Sequence, residues 1–215
     1  MNKIINKLYK DVHSTNNYYE TAWRGEMRSA MFLKLAKENG GNDITDLGCR
    51  DGYLNFELSK GKNLIGIDID DNALKLYVKR HAKNKVKTIN QDLNETLKIV
   101  PNSQDIVIAG ELIEHLMMPA LLVSEANRIL RKGGVFIGST PNAFRYDKRW
   151  ELLLGNDPKS FSDKTHLQYF SYLTIKEILE RDFDQVEIFS YAGNKLVKFL
   201  PKLISDGFIW RCTKK

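Results

Sequence analysis

The sequence has few of the residues that mark several classes of protein. Its 2 cysteines, Cys49 and Cys212, fit neither a disulfide framework nor the ligand spacing of a zinc site. Its 5 prolines do not cluster into a hinge, and no repeat or low-complexity linker is visible. No apolar run approaches the roughly 20 residues that span a bilayer. These absences predict a single-domain cytoplasmic protein with no membrane span.

The composition is that of an ordinary globular domain. Hydrophobic residues make up 42% of the 215 positions and charged residues 28%, and a chain of this length buries a full core. The net charge of +6 allows anionic partners. The lysines are scattered along the chain, which is typical of solvated helix faces. Nucleic acid is therefore a possible partner but is not favoured.

Short apolar runs alternate with amphipathic stretches, which is typical of a parallel sheet covered by helices. Helices are predicted over 18–37, the segment GYLNFELSK, 72–82, TIKEILERD, and 119–131, the last closed by a glycine cap. Strands are predicted at 44–47, NLIGIDI, KVKTIN, SQDIVIAG, GVFIGST, QVEIFSYAG and GFIWRCTK. The expected fold is an α/β, Rossmann-like, seven-stranded and mostly parallel sheet with helices on both faces and the last strand antiparallel.

The loop after the first strand, DLGCRDG, is the first place to look for a ligand. Its glycines, Gly48 and Gly52, are four positions apart, and Arg50 stands where a dinucleotide fingerprint has its second glycine. A pyrophosphate needs close approach to that backbone. The spacing therefore disfavours NAD and FAD and favours a ligand without phosphates.

Two acidic residues follow the next two strands. Asp68 ends the second strand and is placed to accept hydrogen bonds from both hydroxyls of a ribose. Asp92 follows the third strand and is placed to accept one from an adenine amino group. With the glycine turn they describe an adenosine site. Taken singly, Asp68 can also cap the next helix and Asp92 can be a turn residue.

These motifs resemble the class I S-adenosylmethionine-dependent methyltransferases over about 44–179. ELIEHLMMP, STPN and HLQYFS are similar to the branch that contains ubiquinone-biosynthesis O-methyltransferases and saccharide-modifying methyltransferases. The resemblance implies S-adenosylmethionine as cofactor, with the methionine side, the ribose and the adenine bound at successive strand ends. The implied cofactor-binding residues are Asp46, Gly48, Cys49, Arg50, Gly52, Asp68, Ile69, Asp92, Leu93 and Glu111. Relatives usually carry glycine at Arg50, whose side chain we expect to point to solvent, Glu20 or Glu26.

The segment GELIEHL after the fourth strand carries the candidate catalytic residues. In a helix, Glu111, Glu114 and His115 would share one face. His115 is then a candidate base for an acceptor hydroxyl. Alternatively the group holds Mg²⁺ or Mn²⁺, as some ubiquinone-pathway and small-RNA 2′-O-methyltransferases that resemble this pattern do. His166 is a further candidate ligand or substrate contact. The structural alternative is that Glu111 holds the cofactor while Glu114 is solvated and His115 packs.

Residues 141–172 form a connection longer than a strand-to-helix loop requires, which predicts a substrate cap. Its aromatic residues suit stacking and its basic residues suit anionic groups, namely Phe144, Tyr146, Trp150 and Tyr169, and Arg145, Lys148 and Arg149. Residues 1–41 resemble a helical cover, with Tyr19 or Arg28 near the cofactor carboxylate. The expected acceptor is a saccharide or another small-molecule hydroxyl. An RNA 2′-O-methyltransferase and a non-catalytic binding domain are the alternatives.

Overall fold

The protein folds around one seven-stranded sheet. The computed structural model describes residues 26–158, 161, 163–191, 197 and 199–215. The strands, in chain order, are β1 Asp43–Leu47, β2 Asn63–Asp68, β3 Lys85–Asn90, β4 Gln104–Gly110, β5 Leu130–Pro141, β6 Gln185–Tyr191 and β7 Gly207–Thr213. Their order in the sheet is β3-β2-β1-β4-β5-β7-β6. β7 pairs antiparallel with both β5 and β6, and the other pairs are parallel, which confirms the predicted fold class.

Helices cover both faces of the sheet. They are α1 Glu26–Asn39, α2 Asp71–Arg80, α3 Pro119–Ile129, α4 Tyr146–Leu153, α5 Tyr172–Leu179 and α6 Pro201–Ile204. Alternate residues of β4 enter two separate cores, Ile106 and Ile108 with α1 and α2, and Val107 and Ala109 with α3 and α5. Because alternate strand residues face opposite ways, the two cores lie on opposite faces. None of the described helices is long and apolar enough to cross a bilayer.

The sheet order fixes where a ligand can sit. β1 lies between β2 and β4, so successive crossovers leave β1 in opposite directions. In open sheets of this kind, ligands bind beyond the carboxyl ends of the strands at such a reversal. The loops that follow β1, β2, β3 and β4 meet at this edge, which is where the sequence places its motifs.

Two predicted helix features are wrong. The segment GYLNFELSK forms successive turns rather than a helix. Its backbone bonds are mostly of the i to i+3 type, and the Asn55 and Ser59 side chains bond to Tyr77 and His81. Helix α3 ends at Ile129 without a glycine cap, since Leu130 is already extended and starts β5. Gly133, with φ 76°, lies within that strand. The described part of the lead-in helix begins at Glu26, and 18–25 lie outside the described residues.

Candidate functional site

The loop after β1 is a tight backbone turn. Gly48, Arg50 and Gly52 have positive φ values of 63°, 46° and 73°. The Cys49 amide donates to the Ile67 carbonyl at 3.1 Å, and the Gly52 amide donates to the Cys49 carbonyl at 2.9 Å. A side chain at Gly48 would place its Cβ 2.8 Å from Leu112 Cδ1. Because Gly48 has no side chain, the loop can lie close to Leu112 in the segment that follows β4.

Asp68 holds this loop to the end of β2. One carboxylate oxygen, Oδ2, accepts from the Arg50 amide at 2.9 Å, and Oδ1 accepts from the Asp70 amide at 2.9 Å. Burial raises the pKa of Asp68, an effect that the two amide bonds oppose. Each carboxylate oxygen has two lone pairs, so each can accept one further bond. This pair of acceptors suits the two neighbouring hydroxyls of a ribose.

The other residues predicted around the loop are largely buried. Burial, followed by the charges of Asp68 and Asp51, raises the pKa of Asp46 well above its usual range. Burial, followed by the charge of Asp46, likewise raises the pKa of the Cys49 thiol. Cys49 is therefore a packed thiol rather than a nucleophile. Ile69 is half-buried beside Asp68.

Asp92 is both a turn residue and an available acceptor. Its Oδ1 accepts from the backbone amide and from the side-chain amide of Asn94, each at 2.9 Å. Within the described part of the chain, its Oδ2 receives no hydrogen bond. Leu93 beside it is buried, with 6% of its surface exposed. An apolar wall next to a free carboxylate oxygen is suited to an adenine ring and its amino group.

Glu111 belongs to a separate cluster. Its backbone has φ 50°, and the only helical residues of this segment are the 3₁₀ turn Ile113–His115. The left-handed conformation keeps Glu111 out of a helix with Glu114 and His115, so Glu111 does not share a face with His115. Its Oε1 accepts from Ser139 Oγ at 2.6 Å and from the Tyr191 hydroxyl at 3.3 Å, and its Oε2 pairs with Arg28 at 3.3 Å.

Glu114 is buried at the carboxyl end of β4. Its Oε2 accepts from Thr140 Oγ1 at 3.2 Å, whereas Oε1 has no hydrogen-bond partner among the described residues. Burial, followed by the charge of Glu111, raises the pKa of Glu114 well above its usual range. The Glu114 carbonyl accepts from the amides of Leu167 and Gln168 at 2.9 and 3.0 Å, which brings the 163–170 segment onto this turn.

Three side chains converge there, from Glu114, His115 and His166, and the candidate ligand atoms all lie within 4.8 Å of one another. His115 Nδ1 lies 3.0 Å from the Thr165 carbonyl, which can only accept, so Nδ1 carries the hydrogen and Nε2 is the basic nitrogen. A cavity of about 20 Å³ lies between Glu114, His166, Lys148 and Tyr169. This volume is that of one water molecule or ion.

Several of the predicted cap residues already bind or pack against other residues of the protein. Arg145 binds the carboxylates of Asp147 and Asp206. Lys148 donates to the Asn142 carbonyl at 2.7 Å, and burial lowers its pKa. Tyr146 and Trp150 on α4 are 52% and 61% exposed, whereas Tyr169 packs against Phe161. Tyr19 and the side chains of Glu20 and Glu26 lie outside the described residues.

Sequence comparisons relate part of the chain to methyltransferases. Residues 45–138, less than half of the chain, match a family model described as a methyltransferase domain. A protein of Mycolicibacterium smegmatis named a probable S-adenosylmethionine-dependent methyltransferase is 33% identical over 117 residues, which are 54% of this chain and 44% of that protein. A ubiquinone biosynthesis O-methyltransferase of Colwellia psychrerythraea is 33% identical over 114 residues, 50% of this chain and 46% of that protein.

The chain thus matches less than half the length of these curated relatives. Its fold matches a crystal structure of an N-methyltransferase from Bradyrhizobium japonicum in complex with S-adenosyl-L-homocysteine, with a TM-score of 0.70 and 98% of each chain covered. The identity to that protein is 14%, so the likeness concerns the fold.

Sequence reasoning missed the partners of Glu111. Ser139 lies in the STPN motif and was detectable, because it occupies the carboxyl end of the strand next to β4. Tyr191 is 80 residues from Glu111 in the chain, and no local pattern links them. His81, the C-cap residue of α2, contacts the loop after β1, and its place at the end of the predicted helix over 72–82 carries no signal of that contact.

Proposed function

We propose that this protein is a methyltransferase that transfers the methyl group of S-adenosylmethionine to a hydroxyl oxygen of a small molecule, with saccharides as the first acceptors to test. The observation that carries the proposal is the convergence of Glu114, His115 and His166 at the carboxyl edge of the sheet. Methylation of a hydroxyl releases a proton, so an adjacent base accelerates it. An imidazole beside the cofactor edge supplies that base.

In the proposed complex, Asp68 binds the ribose hydroxyls and Asp92 the adenine amino group. Both carboxylates retain acceptor capacity after their internal hydrogen bonds. The remaining residues predicted from the sequence line the methionine side and the walls, namely Asp46, Gly48, Cys49, Arg50, Gly52, Ile69, Leu93 and Glu111. Arg28, paired with Glu111, then stands at the same edge.

The base in this proposal is His115. The Thr165 carbonyl holds its Nδ1–H and thereby orients the ring with Nε2 as acceptor. When bound, S-adenosylmethionine would supply the methyl group and would leave as S-adenosyl-L-homocysteine, and Nε2 would take the proton that the acceptor hydroxyl loses. Alignment of oxygen, carbon and sulfur supplies much of the rate.

A divalent cation, Mg²⁺ or Mn²⁺, suits the same cluster. Glu114 Oε1 is a buried oxygen with no hydrogen-bond partner in the described part of the chain, and it lines a cavity of one-ion size together with His166. Glu114, His115 and His166 would hold the ion. A cation there lowers the pKa of a bound hydroxyl.

The relatives' names support oxygen as the nucleophile. Several are named ubiquinone biosynthesis O-methyltransferases, whereas the N-methyltransferase with the same fold is far less similar in sequence. An amine acceptor would have less need of the His115 base, because it can be methylated as its free base.

The test is a methylation screen with mass-spectrometric detection of products. The panel contains saccharides, phenols, amines and RNA, each with and without EDTA followed by Mg²⁺ or Mn²⁺. Methylated hydroxyl products that disappear in His115→Asn support the proposal, and recovery with the cation supports the metal version. Products only on amines, or only on RNA, would contradict the small-molecule hydroxyl assignment.

A further inference from the structure

Side chains at the end of α2 hold the second half of the loop after β1. The residues that follow this loop form turns instead of a helix, and side-chain contacts supplement the backbone bonds of these turns. Arg80 donates from Nε to the Asp51 carbonyl at 2.6 Å and from NH2 to Asp51 Oδ2 at 2.5 Å. Tyr77 accepts from Asn55 at 3.0 Å. Side chains of α2 therefore hold this segment through hydrogen bonds.

His81 lies between the loop after β1 and the turn segment. Only 1% of its surface is exposed, and its ring packs 4.6 Å from that of Tyr77. Its Nε2 lies 3.2 Å from the Gly52 carbonyl and its Nδ1 lies 3.0 Å from Ser59 Oγ. The imidazole thus bridges the loop to the far end of the turn segment.

The two nitrogens have different roles. The Gly52 carbonyl can only accept, so Nε2 carries the hydrogen and donates it. The single hydroxyl hydrogen of Ser59 is shared between His81 Nδ1 and the Phe56 carbonyl, which lies 2.7 Å from Oγ. The His81 Nε2–H therefore donates to the Gly52 carbonyl, whereas His81 Nδ1 competes with the Phe56 carbonyl for the Ser59 hydroxyl hydrogen.

The Gly52 peptide is then held from both sides. Its amide donates to the Cys49 carbonyl, and its carbonyl accepts from His81. The turn leaves no room for a side chain, because a Cβ at Gly52 would lie 2.4 Å from His81 Nε2. The ring thus sets the position of the backbone that closes the loop.

We propose that His81, with Arg80 beside it, positions the cofactor loop: the bond from Nε2 to the Gly52 carbonyl sets the backbone that receives S-adenosylmethionine. This inference rests on the proposed cofactor role of the loop. His81 lies behind the loop and acts through Gly52, so it is a positioning residue and not a catalytic one.

The test compares two substitutions that each keep one nitrogen. The amide nitrogen of His81→Gln reaches approximately the place of Nε2, and that of His81→Asn approximately the place of Nδ1. Titration calorimetry of the full chain with S-adenosyl-L-homocysteine should give a Kd within about threefold of wild type for His81→Gln. For His81→Asn we expect a Kd about tenfold weaker, which corresponds to about 1.4 kcal/mol.

Ser59→Ala and Arg80→Met separate positioning from general stability. Ser59→Ala removes the other contact of His81 and should lower Tm without changing the Kd. Arg80→Met removes two bonds to Asp51 at a more exposed position, so it folds more readily than a core variant and should weaken binding in the same direction as His81→Asn.

The outcomes distinguish the inference from the function on which it rests. Equal affinities for His81→Asn and wild type, or equal weakening in both His81 variants in step with Tm, would overturn the positioning role while leaving the methyltransferase proposal intact. If His81→Asn fails to fold, an unchanged Kd in Arg80→Met overturns it. A wild-type chain that binds no S-adenosyl-L-homocysteine overturns the proposed function, and the positioning role with it.

Discussion

The carboxylate of Asp68 accepts a hydrogen bond from the backbone amide of Arg50 at 2.9 Å. Asp68 ends β2 and Arg50 lies in the loop after β1, so this bond joins the two strand ends that form the proposed cofactor site. The same carboxylate accepts from the Asp70 amide at the start of α2. One side chain therefore joins the loop after β1 to the start of α2, and in the proposed complex it also binds the ribose.

The first prediction concerns that carboxylate. Asp68→Asn keeps the size of the side chain but removes its charge, and charge-assisted bonds contribute about 1.5–3 kcal/mol each. We expect the Kd for S-adenosyl-L-homocysteine to rise at least about tenfold in calorimetry. Asp71→Asn is the matched control, because Asp71 carries the same charge at an exposed position three residues away. An unchanged Kd in Asp68→Asn would exclude the ribose role.

The second prediction concerns Arg50, which lies between Gly48 and Gly52 in the loop after β1. With φ 46°, the backbone of an arginine is strained by about 1 kcal/mol or more. Glycine would relieve this strain, but it would lower the free energy of unfolding by a similar amount because it gives the unfolded chain more conformational freedom. Arg50→Gly should therefore keep the free energy of unfolding within about 1 kcal/mol and the cofactor Kd within about threefold. A much larger loss of affinity would show that the arginine side chain contacts the cofactor.

The fold was predictable because its signals are local. The strand of Asp43–Leu47 and the strand of Lys85–Asn90 are short apolar or alternating runs ended by turns, and their carboxyl ends meet at one edge by topology alone. The placement of Asp68 and Asp92 at successive strand ends follows from the same rule.

The arrangement of the catalytic segment was not predictable from spacing. Glu111, Glu114 and His115 fit helical spacing, yet the left-handed backbone at Glu111 sends its carboxylate to Arg28 and Tyr191. His166 takes its place beside Glu114 and His115. The contacts that decide this are between residues more than 50 positions apart, which sequence periodicity does not record.

The third prediction tests the ion pair between Arg28 and Glu111. Both side chains are largely buried, with 14% and 23% exposed, so breaking the pair leaves a desolvated charge. Glu111→Gln and Arg28→Met should each lower the free energy of unfolding by about 1–3 kcal/mol. The double variant should lose clearly less than the sum, as measured by urea denaturation. Additive losses would show that the two residues do not interact.

The fourth prediction is a pH dependence of stability. Burial, together with the charge of Arg80, lowers the pKa of His81 below its ordinary value of 6.5. The hydrogen bond to Gly52 raises this pKa but does not outweigh the burial. Below pH 6.5 the unfolded chain therefore binds a proton that the folded chain does not. The stabilisation from a neutral His81 is full above pH 6.5 and is lost as the pH falls below it, at up to about 1.4 kcal/mol per pH unit.

His81→Gln has no titratable ring, so its free energy of unfolding should fall less steeply than that of wild type between pH 6.5 and 5. Urea denaturation at several pH values measures the two slopes, and the other histidines contribute equally to both proteins. Identical slopes would contradict a lowered pKa at His81.

The edge formed by the loops after β1, β2 and β3 is proposed to bind S-adenosylmethionine. Calorimetric titration of the full chain with S-adenosyl-L-homocysteine, with NADH as the control ligand, tests this binding. We expect one saturable site in the micromolar range that weakens at least about tenfold in Asp68→Asn, and no heat with NADH. Binding of NADH, or no binding of S-adenosyl-L-homocysteine by the wild-type chain, would contradict it.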